Sequence, residues 1–148
     1  MTMTSRRTYL IVVGVIAAIV FTLSAFGKSR AERPAAEEFG TGPRTSAQGI
    51  YVVTLQDATD LKPRKMYTLQ ATIVDKSGQP VTGASITVDG GMPQHGHGLP
   101  TRPRVTKDLG NGAYEISGVR FNMGGWWEFK LTITTPAGTD TVTFNLSL

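Results

Sequence analysis

From Gly49 to the C-terminus, apolar side chains recur at every second position. Tyr51, Val53 and Leu55 alternate with Val52 and Thr54, and Tyr67, Leu69, Ala71 and Ile73 with Thr68, Gln70 and Thr72. The same period governs Ile86 and Val88, then Tyr114 and Ile116, then Trp127, Phe129, Leu131 and Ile133, then Val142, Phe144, Leu146 and Leu148. A period of two is the mark of a strand with one face inward and one face wet. Ser77-Gly78-Gln79-Pro80, Gly110-Asn111-Gly112 and Pro136-Ala137-Gly138 supply the turns between strands. No stretch after residue 34 offers a helical face. The pattern predicts an all-β fold, an immunoglobulin-like antiparallel β-sandwich of about seven strands over residues 49–148.

The start of the chain follows another pattern. Tyr9–Phe26 carries no charge over 18 residues, with Arg6 and Arg7 before it and Lys28 and Arg30 after it. As a helix this run is about 27 Å long, close to one hydrocarbon core. Two readings stand. A cleaved signal peptide needs small residues at −3 and −1 of the cut, and Leu23 before Ala25 suits it poorly. An uncleaved signal-anchor explains both the length and the basic flanks. The expected layout is a cytoplasmic N-terminus at 1–8, a transmembrane segment at 9–26, a flexible linker at 27–48 and the sandwich at 49–148. Glu32–Gln48, rich in Pro, Ala, Gly and charge, is the linker's most open part. The flanking charges nearly balance. An anchor so early in the chain places the domain outside, facing the periplasm or the cell surface, on a single-pass inner-membrane protein.

Charge and composition narrow the function. The net charge is +4. Residues 1–33 hold five basic residues and one acidic, and residues 34–148 hold ten of each. The basic surplus therefore belongs to the tether, and no dense basic stripe marks the domain as a nucleic-acid binder. No cysteine is present, which removes disulfides, iron–sulfur clusters, thiolate zinc sites and thiol nucleophiles. No nucleophile elbow, phosphate loop or dinucleotide fingerprint appears, so the expectation is a protein that is not an enzyme.

One segment stands apart: Gly90-Gly91-Met92-Pro93-Gln94-His95-Gly96-His97-Gly98-Leu99-Pro100 holds both histidines of the chain. In an extended strand, i and i+2 point to the same side, so the imidazoles converge. Met92 precedes them, and Met123 lies in Phe121-Asn122-Met123-Gly124-Gly125. Imidazole suits copper, zinc, nickel and iron, while thioether sulfur favours Cu(I). No carboxylate lies between Gly90 and Val105, which disfavours Ca²⁺ and Mg²⁺. The economical metal reading is a low-coordinate Cu(I) site of Met92, His95, His97 and Met123. The competing reading is a Gly/Pro-rich loop pinned by histidine hydrogen bonds, with the methionines as core filler. A second function also stands: a non-catalytic module docking to a membrane complex, with Arg102, Arg104 and Arg120 on an acidic partner and Trp126 exposed.

The run MPQHGHGLPTRPRVTKDLGNGAYEISGVRFNMGGWWEFKLTI, Met92–Ile133, resembles the signature stretch of the YtkA-like domain family. The matching positions are Met92, Pro93, His95, Gly96, His97, Gly98, Pro100, Met123 and Trp127. The resemblance implies a small extracytoplasmic β-sandwich, often tethered by one N-terminal helix. It also implies kinship with FixH-like membrane proteins and with copper-handling proteins of respiratory oxidase assembly. It supplies no catalytic mechanism.

Overall fold

A computed structural model describes residues 39–148. The expected cytoplasmic segment, the membrane span at 9–26 and the linker as far as residue 38 lie outside the described residues. The described part is all-β. Nine strands follow in order: β1 Arg44–Thr45, β2 Tyr51–Gln56, β3 Met66–Asp75, β4 Ser85–Met92, β5 His97–Gly98, β6 Arg104–Gly110, β7 Ala113–Arg120, β8 Trp126–Thr135 and β9 Gly138–Ser147. Seven of them have six residues or more. They form two antiparallel sheets, ordered β1-β2-β3-β7-β6 and β5-β4-β8-β9.

The inner faces of the two sheets share one core. Tyr51, Val53, Leu55, Leu69, Ala71, Ile73, Tyr114 and Ile116 enter it from the first sheet. Trp127, Phe129, Leu131, Ile133, Val142, Phe144 and Leu146 enter it from the second. These are the residues that the period of two points inward. Ile86 and Val88 are only half-buried, because β4 lies near the margin of its sheet and β5 covers just its end. Phe121 and Trp127 meet edge-on with centroids 5.3 Å apart, which fixes the chain where β7 hands over to β8.

Two results differ from the expected layout. Residues 39–48, given to the linker, contain core structure. Phe39 is buried and meets Phe121, Phe129 and Phe144 edge-on. The Phe39 and Ala47 N–H groups donate to Asn145 O and Thr141 O on the outer edge of β9, while β1 pairs with β2. This segment thus serves both sheets and covers an edge that would otherwise expose bare peptide groups. The second correction concerns Trp126. Its position opposite Trp127 predicts exposure, yet it is 5% exposed. Its Nε1 donates to Asn145 Oδ1 at 2.8 Å. Asn145 pairs with Glu128, so Trp126 and Asn145 are diagonal neighbours on one face of the β8–β9 ladder, within reach of a long side chain.

The strand directions define two ends. One end holds residues 46–50, 75–84, 110–112 and 135–138. The other holds residues 57–65, 92–103 and 121–125 with the C-terminus, and Phe39 enters there. This is the upper end.

Candidate functional site

The upper end is built by short connections. After Met92 the chain turns through Pro93–Gly96 and returns as β5. The Met92 carbonyl accepts from both His95 N and Gly96 N, at 3.0 and 2.9 Å. Gly96 takes φ +66°, a conformation that a side chain resists. The return strand places His97 opposite Met92 and Gly98 opposite Gly91. The hairpin is so tight that a Cβ on Gly91 would fall 2.4 Å from the His97 carbonyl oxygen.

His95 and His97 are both exposed. Their rings stack with centroids 6.0 Å apart and planes 30° from parallel. The histidines do come together, but by another route than the expected one. Only His97 lies on a strand; His95 lies in the turn, and the left-handed Gly96 between them brings the rings side by side. Among the described residues no group of three or more His, Cys, Asp or Glu gathers in a metal-binding cluster.

The two methionines are placed differently. Met92 is 1% exposed and belongs to the core. Its methyl group packs on the β7–β8 connection, since a Cβ on Gly125 would come within 2.7 Å of Cε. Met123, in the same connection, is 40% exposed. The Met123 carbonyl accepts from Trp127 Nε1 at 3.0 Å, which holds this loop to the core. Trp127 thus fixes the segment that carries Met123.

A residue missed by the sequence reading joins them. Met66 begins β3 at the upper end and is 60% exposed. All three methionines and both histidines among the described residues therefore stand at one end. No linear pattern signals Met66; only the pairing of β3 with β7 brings it to this end.

An open groove of about 340 Å³ runs beside the hairpin, lined by Asp89, Met92, His97, Glu128 and Lys130 among others. Lys130 Nζ pairs with Glu128 at 2.7 Å. Arg102 and Arg104 are exposed beyond the hairpin and make no ion pair among the described residues.

The fold and the site define a small all-β domain with an exposed Gly-rich His-x-His hairpin at one end. Residues 45–132, more than half of the chain, match the YtkA-like family model, and the chain belongs to that family. No curated protein matches it, and no solved structure does.

Proposed function

We propose that this protein is a membrane-anchored, extracytoplasmic copper-binding or copper-delivery domain. His95 and His97 supply imidazole ligands, and Met92 and Met123 supply thioether sulfur. The observation that carries the reading is the stacked, exposed pair of rings 6.0 Å apart at the end that also holds Met92 and Met123. Two imidazoles that gather into no cluster of three or more His, Cys or carboxylate donors among the described residues suit Cu(I), which accepts low coordination and soft donors. Met123 is the accessible thioether; Met92 is buried in the core and lines the groove beside His97. The role is binding and transfer, without catalysis. The domain faces the periplasm or the outside, held by the segment at 9–26.

The strand order supports an immunoglobulin-like assignment. Sheets β2-β3-β7-β6 and β4-β8-β9 correspond in order to the ABED and CFG sheets of that fold.

X-ray absorption at the copper edge of the Cu(I)-loaded full chain in detergent tests the metal reading. Imidazole nitrogen near ~2.0 Å with sulfur near ~2.3 Å supports it. A first shell without imidazole overturns it.

The second reading, a docking module for a membrane protein complex such as an oxidase-assembly partner, draws on exposed Arg102 and Arg104. Trp126, buried against Asn145, takes no part in it.

A further inference from the structure

The neutral sum of residues 34–148 conceals an uneven distribution. Six of the ten basic residues, Lys62, Arg64, Lys65, Arg102, Arg104 and Arg120, stand at the upper end. They border the first sheet where β3, β7 and β6 lie side by side. Arg120 pairs in register with Met66, and Arg104 with Ser117. Five of the six are exposed and Arg120 is half-buried. None makes an ion pair or side-chain hydrogen bond among the described residues, where the ion pairs are Lys107–Glu115 and Lys130–Glu128. Arg120 Nε is buried and has no hydrogen-bond partner among the described residues. The acidic residues of this end, Asp57, Asp60, Asp89 and Glu128, lie on the 57–65 loop and in the groove of the second sheet. Among the described residues this end thus carries six cations against four carboxylates, and the cations stand around an exposed, apolar Met66.

The chain also enters the domain here. Phe39 N donates to Asn145 O near the end of β9, so the chain joins the domain at this same end. Residues 27–38 span at most ~43 Å when fully extended. We propose that the upper end docks on the anionic headgroup layer of the bilayer in which the chain is anchored. Guanidinium forks and ammonium groups contact lipid phosphates, and Met66 enters the headgroup region. The proposal rests on the anchored reading of residues 9–26. Its consequence is that the His95–His97 hairpin is held beside the membrane surface, where a membrane-embedded recipient would take up its metal.

The chain has no cysteine, so single reporter sites are simple to make. Met66→Cys, at the upper end, and Ser77→Cys, in the exposed turn at the opposite end, are each labelled with a fluorophore in the full-length chain. The chains are reconstituted into phosphatidylcholine vesicles, alone or with about a third phosphatidylglycerol, and quenched by headgroup spin-labelled lipid. The expected result is quenching at position 66 at least about threefold stronger than at 77 in the anionic vesicles, falling toward the value at 77 in ~0.5 M salt or on adding Arg64→Glu with Lys65→Glu. Equal quenching at both positions, with the chain still floating with vesicles, overturns the docking and assigns the patch to an acidic protein surface. Failure to float overturns the anchored reading, and the docking with it.

Discussion

Ser46 Oγ donates to the Asp140 carboxylate at 2.6 Å and ties the entry segment to β9. Asp140 also accepts from the N–H groups of Gln48, Ile50 and Thr141. The carboxylate is 2% exposed and gathers the donors of a turn that has no strand partner. Burial pushes its pKa up, but the hydrogen bonds from Ser46, Thr141, Gln48 and Ile50 outweigh burial and hold it below the usual 3.8. A depressed carboxylate contributes stability above its unfolded value, and that stability is lost as pH falls through the folded value. Denaturant unfolding is therefore expected to show a loss of stability below about pH 4 that Asp140→Asn flattens. At neutral pH, Ser46→Ala should cost about 1–3 kcal/mol, since it leaves a buried carboxylate with one donor fewer. A pH dependence unchanged in Asp140→Asn would remove this account.

The hairpin depends on close packing at Gly91. Gly91→Ala places a Cβ 2.4 Å from the His97 carbonyl oxygen, whereas Gly98→Ala meets nothing nearer than 3.8 Å. Urea midpoints should show Gly91→Ala destabilised by about 1–3 kcal/mol, and Gly98→Ala within ~0.5 kcal/mol of the parent. Equal effects of the two substitutions would contradict the geometry.

Trp126 fills a closed site rather than a docking surface. Trp126→Phe removes the donor to Asn145 Oδ1 and should cost about 1 kcal/mol, with the sandwich retained. Acrylamide quenching of the parent should be low for both tryptophans, because Trp126 is 5% and Trp127 0% exposed. Strong quenching of one tryptophan would show that Trp126 is open to solvent.

Much of the sandwich was legible because its main strands bury one face fully. Leu69, Ala71 and Ile73, or Phe129, Leu131 and Ile133, alternate without a break, and each is buried. β6 escaped because six of its seven residues are exposed, leaving half-buried Val105 as its sole inward signal. Phe39 escaped because it stands alone in a polar stretch, where periodicity has nothing to count. Trp126 was misread because alternation gives the face of a residue and not whether that face is covered. The two histidines were legible as a pair, but the geometry that joins them was not. A positive φ at Gly96 is a tertiary choice that spacing leaves open.

Cu(I) competition against a colorimetric chelator, with the full chain in detergent, tests the central claim most directly. One Cu(I) per chain is expected for the parent. His95→Ala with His97→Ala should weaken it by about a hundredfold or more, at ~1.4 kcal/mol per factor of ten, while the far-UV spectrum stays that of a β-sandwich. Met123→Leu should weaken it less, and Met66→Leu should leave it unchanged. Binding by the double histidine variant as tight as by the parent would contradict the account.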